Sequence, residues 1–469
     1  MIAELPVPEK GLAYEGHAEP RIAPPVPLWH RASDIADMAD TVGFPLMPWQ
    51  INAAKYLTAC DERNTKPTYR EIAIVVARQN GKSTLLIPLI LDALMHGRRV
   101  MHTAQNRRLP VEVFSVVVHE LERRGKVRKV IEAYGRETVT TTNGATYRIV
   151  APTREGARGP TNDMVIIDEL RVMEDWTFIG AAKPTLIASK SAQMVYLSNA
   201  GTSESVVLNA VRARAHDDPN LAYLEWSAEP ERRSDDVTGW MQSNPSIGHG
   251  PIDVESLQAE YTTNKLQGTL GIFEVENLCR WVDSLAPKFV PEGAWMQLYG
   301  KLEEPRRPFM AVSMDPSGTR ASGVIAWRMA SGRVGVRVVA DVTGQPIDTD
   351  ALGADMKKLA LKLGVAGIAY DPWTDTDLAR KLPRAKSLAG RDFAVACENF
   401  TRRVSDGSLM WDEAEQVTTD LGWTTRKSHE TGAFHAVKSS EEHTITAALA
   451  AIRAVWLATS EKPPAPKVL

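Results

Sequence analysis

Short, continuously apolar segments alternate with longer segments of helical periodicity between residues 71 and 197 of this chain. The apolar segments cover residues 72–76, 100–104, 146–151, 164–167 and 193–197, and the helical ones include residues 83–96 and 111–124. Strands that are apolar throughout are buried on both faces, which is typical of a parallel sheet covered by helices on both sides. The pattern therefore predicts an α/β domain with a mainly parallel sheet.

A second α/β segment begins after the connector-like sequence Pro305-Arg306-Arg307-Pro308. A chain of 469 residues is too long for one hydrophobic core. The stretch before the connector is polar and rich in turns, with one charged helix. We therefore expect an extended, proline-rich N-terminal arm (1–45), a nucleotide-binding domain (46–228), a linker or subdomain (229–305), a second α/β domain (306–458) and a disordered tail (459–469).

Composition and charge exclude several classes of protein. Three scattered cysteines argue against a disulfide framework or a zinc cluster, and they favour a reducing compartment. We find no apolar run long enough to span a membrane and no signal peptide at the N-terminus. The formal net charge of −3 gives no overall attraction to nucleic acid, so DNA binding would depend on local basic patches. Candidate patches, each of which also fits a solvated surface, are Arg98–Arg99, Arg107–Arg108, residues 123–129 and Arg402–Arg403.

The sequence Gly81-Lys82-Ser83 opens a predicted helix directly after a predicted strand. Backbone N–H groups at such a helix start can bind phosphates, while the lysine adds positive charge and the hydroxyl binds Mg²⁺. The strict form of this phosphate-binding loop has a glycine at the position that Val76 occupies here. Taken alone, the tripeptide also fits a lysine that merely lies near a helix start.

Asp168 and Glu169 follow the apolar strand at residues 164–167 and strengthen the assignment of a nucleotide site. An aspartate at the end of a strand can hold Mg²⁺ through water, and the adjacent glutamate can polarise the attacking water. The order strand, Gly-Lys-Ser, helix, then strand and Asp-Glu therefore predicts ATP hydrolysis with Mg²⁺ at Ser83 and Asp168.

Other residues are weaker candidates for the same site. Gln50 could recognise adenine, or it could be a surface residue after a packed tryptophan. Ser198 and Asn199 follow a strand where a sensor of the γ-phosphate would lie, although a plain turn fits as well. Arg78 and Arg158 are alternatives for stabilising transition-state charge. The remaining residues of the predicted phosphate-binding loop are Gln79 and Asn80.

Two aspartates at strand ends predict a different chemistry in the second α/β domain. Asp315 ends the first predicted strand there and Asp371 ends a later one. Hydrolysis of a phosphodiester by two metal ions needs three or four converging carboxylates. The order strand, hairpin strands, helix, acid-bearing strand and final helix is that of a ribonuclease-H-like nuclease, with Mg²⁺ or Mn²⁺ as the metal.

The third nuclease carboxylate would come from the start of the final helix. We assign it to Glu442, with Glu441 and His443 as alternates. The two glutamates could instead complement the dipole at the helix N-terminus. Asp341, at the end of another strand, is a lesser candidate, and Asp375 and Asp377 are expected to be solvated loop charges.

The combination resembles the large terminase subunit of tailed double-stranded DNA bacteriophages over about residues 48–456. The resemblance rests on residues 78–83, 165–169 and 198–200 together with Asp315 and Asp371. It implies an ATP-driven motor that translocates double-stranded DNA into the procapsid and cuts it. It also implies a homo-oligomeric ring on the portal protein, a small terminase subunit as partner, and a location in the cytoplasm of the infected bacterium.

The last nuclease acid of that family is usually an aspartate, where this chain has Glu441-Glu442-His443. Two other hypotheses stay open at this point. A host DNA repair helicase-nuclease would need a second motor domain, and residues after about 305 contain no second phosphate-binding loop. A nucleotide-gated assembly or scaffold protein would carry the same acidic strand ends without nuclease activity.

Overall fold

The computed structural model describes residues 13–64, 66–282, 285–291, 293–428, 432–440 and 443–460. The chain divides into a first unit, residues 1–285, and a second unit, residues 286–469. The second unit thus begins about twenty residues before the position expected from the sequence. The reason is that Phe289 and Trp295, from the predicted linker, belong to its hydrophobic core.

The first unit contains helices on both sides of one large sheet. Its strands are β1 (Glu71–Val75), β2 (Arg99–Ala104), β3 (Val127–Ile131), β4 (Thr138–Thr141), β5 (Thr146–Ile149), β6 (Met164–Asp168), β7 (Gln193–Ser198) and β8 (Leu221–Glu225). Its helices are α1 (Ala32–Thr41), α2 (Pro48–Leu57), α3 (Lys82–Met95), α4 (Arg108–Arg123), α5 (Arg154–Ala157), α6 (Thr177–Leu186), α7 (Val206–Ala213), α8 (Val237–Ser243), α9 (Val254–Gln267) and α10 (Leu270–Glu276).

The strands of this sheet follow the order β3-β4-β5-β2-β6-β7-β1-β8. All neighbours from β5 to β8 are parallel, whereas β3 and β4 form an antiparallel edge. Strand β7 lies between β1 and β6, so the strand before the Gly-Lys-Ser sequence and the strand that ends in Asp168 are not neighbours. The predicted mainly parallel α/β fold is confirmed.

The described part of the predicted N-terminal arm packs against this unit and is not extended throughout. Helix α1 buries Ile35 and Ala39, and Arg31 before it pairs with Asp92 of α3 at 2.9 Å. The prolines of the segment led us to predict an extended chain as far as residue 45. The apolar spacing of α1 outweighs that signal because its buried side chains join the main core.

Residues 228–278, which we call the α8–α10 module, have a small core of their own within the first unit. Trp240, Tyr261 and Phe273 lie at its centre, with ring centroids between 5.6 and 6.3 Å apart. The polar character of the sequence led us to expect a linker or subdomain here. The buried aromatic residues give the module a fixed shape next to the large sheet.

The second unit has a six-stranded mixed sheet and a separate two-stranded ribbon. Its strands are β9 (Phe309–Met314), β10 (Arg320–Arg328), β11 (Val334–Thr343), β12 (Gly367–Tyr370), β13 (Ala385–Ser387), β14 (Leu409–Trp411), β15 (Thr424–Ser428) and β16 (Phe434–Lys438). Its helices are α11 (Thr349–Lys362), α12 (Thr376–Ala379), α13 (Gly390–Ser405), α14 (Glu415–Gly422) and α15 (Thr446–Ser460).

The larger sheet has the order β13-β12-β9-β10-β11-β14. Strands β9, β10 and β11 form an antiparallel meander, while β12 and β13 run parallel to β9. Helix α15 is almost entirely buried against the sheet, because its alanines permit close approach. This is the ribonuclease-H-like layout predicted from the sequence, and the fold class of the second unit is confirmed.

A buried carboxylate fastens the ends of β9 and β12. Asp375 accepts hydrogen bonds from the backbone amides of Met314, at 2.8 Å, and Asp371, at 2.9 Å. Its side chain is fully buried, and burial raises its pKa. The prediction of a solvated loop charge at Asp375 is wrong, because these two amides need an acceptor inside the fold.

Two further findings concern the chain ends and membranes. The predicted disordered tail, 459–469, lies outside the described residues apart from Thr459 and Ser460. In the ranges that the structure describes, the helices are all too short or too polar to cross a membrane.

We expect Asp375→Ala to destabilise the second unit by about 2–4 kcal/mol, because two partly buried amides lose their acceptor. Denaturant unfolding of the full chain measures this, with hydrogen exchange at the Met314 and Asp371 amides as a local readout. Asp377→Ala is the matched control, since that side chain is 80% exposed. Equal stability of the two variants would contradict the role of Asp375.

Candidate functional site

The carboxyl ends of β1, β6 and β7 lie along one edge of the large sheet. In the pairing register, Val75 is opposite Ser198, and Ile167 is opposite Tyr196. The Gly-Lys-Ser sequence follows β1, Asp168 ends β6 and Ser198 ends β7. The structure therefore brings the predicted phosphate-binding loop, the acidic pair and the predicted sensor to one edge, where ligands of open α/β sheets bind.

The loop before α3 contains two residues with left-handed backbone geometry. Gln79 has φ of 62° and Gly81, the N-cap of α3, has φ of 87°. A Cβ atom at Gly81 would lie 3.0 Å from Thr84 Oγ1 and 3.1 Å from Gln50 Nε2. The positive φ and the lack of space for a Cβ atom both require glycine at position 81. Ser83 follows in the first turn of the helix.

Lys82 and Asp168 form the electrostatic centre of this edge. The Lys82 ammonium donates to the carbonyl oxygens of Val76 and Ala77 at 2.9 and 3.0 Å. Burial lowers the pKa of Lys82, an effect that the attraction of Asp168 opposes. Burial raises the pKa of Asp168 to about 6, although Lys82 and the Glu169 amide both favour its charged form.

The Asp168 carboxylate is therefore only partly compensated by the positive charge that the chain provides. A divalent cation would supply the missing charge, and carboxylate and hydroxyl oxygens are ligands that Mg²⁺ prefers. Asp168 and Ser83, at this edge, fit the Mg²⁺ expected from the sequence.

Glu169 has φ of 57° and ψ of 45°, which is unusual for a residue other than glycine. Its amide donates to Asp168 Oδ1 at 2.9 Å, so the turn is held by the carboxylate that precedes it. Backbone strain of this kind is common at functional sites. Next to it, the Arg171 amide donates to Ser198 Oγ at 3.2 Å, which connects the acidic turn with the end of β7.

Gln50 lies against the start of α3, and both ends of its carboxamide form hydrogen bonds. Nε2 donates to Gly81 O at 2.8 Å and to Thr84 Oγ1 at 3.1 Å, and Oε1 accepts from the Met47 amide at 2.8 Å. These bonds brace the phosphate-binding loop from behind. Recognition of adenine by Gln50 stays a prediction.

The two candidate arginines have different surroundings. Arg78 belongs to the loop, and its side chain is 71% exposed with a guanidinium nitrogen 4.0 Å from Glu276. Arg158 is an exposed residue after α5 that lines an open cavity with Arg154 and Trp176. The lining of that cavity includes no residue of the phosphate-binding loop.

Several residues that bind the loop come from the α8–α10 module and were missed in the sequence. Asn80 Nδ2 donates to Asn244 Oδ1 at 3.0 Å, and its Oδ1 accepts from Ser246 Oγ at 2.8 Å. Glu276 accepts a hydrogen bond from Asn199, and its carboxylate also contacts Arg78 and Arg171. The sequence around 244–246 indicated only a turn, and nothing near Glu276 distinguished it from other helical glutamates.

Several arginines of the candidate basic patches in the first unit have partners within the chain. Arg99 pairs with Asp163 at 2.9 Å, and Arg123 and Arg124 both contact Glu120. Arg98 donates to the carbonyl of Ser191 at 2.8 Å and is largely buried, which lowers its pKa to about 10. These arginines therefore stabilise the fold, and they are weak candidates for binding DNA phosphates.

In the second unit, Asp315 and Asp371 follow neighbouring parallel strands. Ala311 of β9 lies opposite Ala369 of β12, so the two aspartates come at the same edge of the sheet. Neighbouring strands are about 4.8 Å apart, and Asp375 holds their ends together. The predicted convergence of the two acids is therefore consistent with the fold.

Both carboxylates also have partners within the chain. Asp315 Oδ2 accepts from the Ser317 amide at 3.1 Å. Asp371 accepts from the Trp373 amide at 2.9 Å and forms an ion pair with Arg453, a buried residue of α15. Because Arg453 lies in the final helix, that helix brings a positive charge to this edge of the sheet.

The third predicted ligand falls at the margin of the described chain. Glu442 and its alternate Glu441 lie outside the described residues, while His443 stacks on Trp423 with centroids 3.8 Å apart. Asp341, the lesser candidate, is engaged by Arg320 and Ser322. Among the residues that are described, no three acidic, histidine or cysteine side chains form a metal-binding group, so these residues alone do not fit the predicted metal pair.

Comparisons with known proteins give likeness of fold. No protein-family model and no curated protein matches the chain. The HK97 bacteriophage large terminase is 14% identical, with 92% of this chain and 100% of that one covered and a TM-score of 0.47. A large terminase from a thermophilic bacteriophage, solved in complex with ADP, is 15% identical, with coverage of 89% and 99% and a TM-score of 0.39.

A third solved structure matches a smaller part of the chain. The large terminase nuclease of the thermophilic phage G20c is 11% identical, with 32% of this chain and 84% of that one covered and a TM-score of 0.27. The likeness to the first two structures extends over most of this chain.

The raised pKa of Asp168 predicts a specific dependence of stability on pH. Between about pH 4 and 6 the folded protein holds a proton that the unfolded chain has lost, so the contribution of Asp168 to stability falls as the pH rises. Asp168→Asn cannot titrate there. We expect the unfolding free energy of the unaltered protein, relative to this variant, to fall by about 3 kcal/mol from pH 4 to pH 8.

Denaturant unfolding of both proteins without Mg²⁺, at several pH values across that range, measures the difference. A difference that does not change with pH would show that Asp168 titrates normally and would contradict its only partly compensated burial.

Proposed function

We propose that this protein is an ATP-driven motor of the large-terminase kind, which translocates double-stranded DNA into a procapsid and cuts it with a metal-dependent endonuclease. The observation that supports the motor most strongly is the meeting of Lys82, Asp168, Glu169 and Ser198 at one edge of a parallel sheet. They come from three separate segments of the sequence, and each has the chemistry that hydrolysis of a nucleoside triphosphate needs.

In this proposal the phosphates of ATP lie on the backbone amides of residues 79–83 and on Lys82. Ser83 and Asp168 hold Mg²⁺, which neutralises charge on the phosphates when it is bound. Glu169 orients and deprotonates the attacking water. Arg78, on the loop, or Arg158 stabilises the transition state, and Gln50 contributes to adenine binding.

Ser198 and Asn199 are proposed to sense the γ-phosphate. They lie at the end of β7, between the loop that follows β1 and the acidic turn that follows β6. Loss of the γ-phosphate would therefore act directly on both the phosphate-binding loop and the acidic turn. We propose that this change drives translocation of DNA, which is held through its phosphates without reading of bases.

The nuclease part of the proposal rests on the ribonuclease-H-like sheet and on the paired strand ends that carry Asp315 and Asp371. Glu442 is proposed as the third acid of a site for Mg²⁺ or Mn²⁺. The described residues supply two of the acids, and one of these, Asp371, is paired with Arg453.

The proposed partners follow from the resemblance to large terminases. They are double-stranded DNA, a portal protein, a small terminase subunit and further copies of this chain in a ring on the procapsid. The proposed location is the cytoplasm of an infected bacterium, with transient residence on the procapsid.

We expect Glu169→Gln to lower ATP turnover by at least about 100-fold, because the amide cannot accept a proton from water. ATP binding should change less than about threefold, since the loop and Lys82 are untouched. Steady-state hydrolysis and titration with a fluorescent ATP analogue measure the two effects. Glu174→Gln, at an exposed position of the same segment, is the control. Unaltered turnover in Glu169→Gln would remove Glu169 from this role.

We expect Asp315→Ala to abolish Mn²⁺-dependent cutting of plasmid DNA while ATP turnover stays unchanged. The physical reason is that the substitution removes one of the two described carboxylates at the strand ends of the second unit. Agarose-gel assays of the full chain measure cutting, with Asp377→Ala as the control for an exposed acid nearby. Cutting by Asp315→Ala at the unaltered rate would favour a protein whose acidic strand ends are inert.

A further inference from the structure

Glu276 is the last residue of α10, and its carboxylate reaches the edge of the sheet where the proposed ATP site lies. We propose that Glu276 is a positioning residue for ATP hydrolysis, which acts through Asn199 and Arg171. The inference rests on the proposed ATPase function. It adds that turnover depends on the α8–α10 module, to which Glu276 belongs.

The two carboxylate oxygens of Glu276 have different partners. Oε1 accepts from Arg171 Nη2 at 2.7 Å, and Oε2 accepts from Asn199 Nδ2 at 2.8 Å. The Glu276 side chain is 15% exposed and that of Arg171 is 21% exposed, so solvent screens the ion pair only partly. Two bonds to separate oxygens hold the plane of the carboxylate, and they also hold the Asn199 amide in one orientation.

The same residue holds the phosphate-binding loop by its main chain. The Arg78 amide donates to the carbonyl oxygen of Glu276 at 2.9 Å. The Arg78 guanidinium, in contrast, lies 4.0 Å from Oε2 and is mostly exposed. The loop backbone is thus held firmly, whereas the guanidinium is free to move between Glu276 and a phosphate.

Glu276 therefore connects the segments that follow three strands of the sheet. Arg78 follows β1, Arg171 follows β6 two residues after Glu169, and Asn199 follows β7. The α8–α10 module binds the loop at a second point, since Asn244 and Ser246 bond to Asn80. The module thus contacts the three segments that carry the groups to which we assign phosphate binding, water activation and sensing.

The charge of Glu276 matters as much as its bonds. Arg78 and Arg171 are two positive charges near the place proposed for a polyphosphate, and Glu276 offsets them. Without this carboxylate both guanidinium groups would be drawn to the phosphates by Coulomb attraction. ATP would then bind at least as tightly, but Asn199 and the acidic turn would lose the geometry needed for turnover.

The test uses the full chain and the variant Glu276→Gln, which keeps the size of the side chain and removes its charge. We expect kcat for ATP to fall on the order of ten- to a hundredfold, because a small misplacement of reacting groups has effects of this size. The affinity for a fluorescent ATP analogue should not weaken by more than about threefold. A purely structural role would weaken binding and lower the thermal unfolding temperature together.

Glu274→Gln is the matched control. Glu274 lies on the same helix, its side chain is 17% exposed, and it pairs with Arg280 at 2.7 Å. We expect its turnover and affinity to equal those of the unaltered protein. The double variant Arg171→Ala/Glu276→Gln should lose no more turnover than the stronger of its single variants, because Glu276 acts through Arg171.

Three outcomes would overturn the inference. Turnover by Glu276→Gln equal to that of Glu274→Gln shows that Glu276 does not position the site. A parallel loss of ATP affinity and thermal stability assigns it to folding alone. Absence of ATP hydrolysis by the unaltered protein removes the proposed function itself, and the inference with it. The first two results leave the proposed ATPase intact, so the two failures can be told apart.

Discussion

The attraction between the half-buried Lys82 and the buried Asp168, at one edge of a parallel sheet, is the interaction on which the chemistry proposed for the first unit depends. Burial opposes the charge on each group, lowering one pKa and raising the other. The attraction reduces these shifts but does not abolish them. A site with such residual electrostatic stress stabilises a ligand that brings both negative phosphate and a positive metal ion, because each offsets one of the two buried charges.

In the second unit, as in the first, parallel strands bring acidic residues to one edge of a sheet, but the balance of charge there is different. Parallel strands β9 and β12 bring Asp315 and Asp371 to one edge, and Asp375 ties the strand ends together. Arg453 then neutralises Asp371 from the final helix. This edge is therefore less negative than two neighbouring carboxylates would make it, so a metal ion here competes with an internal ion pair.

The main elements of both units could be predicted from the sequence because their signals are local. Apolar runs predicted β1, β6 and β9, and the glycine at position 81 marked the start of α3. Asp375 and Glu276 could not be recognised in this way. Both are ordinary acidic residues in sequence, and their roles come from amides and side chains that the tertiary fold brings to them. The α1 helix was missed because prolines around it masked a short apolar pattern.

A structure of the full chain with Mg²⁺ and a non-hydrolysable ATP analogue tests the central claim most directly. The account predicts that the β- and γ-phosphates lie on the amides of residues 79–83 and on Lys82. Mg²⁺ should then be held by Ser83 and Asp168. A nucleotide bound elsewhere, or a metal ion that approaches neither Ser83 nor Asp168, would contradict it.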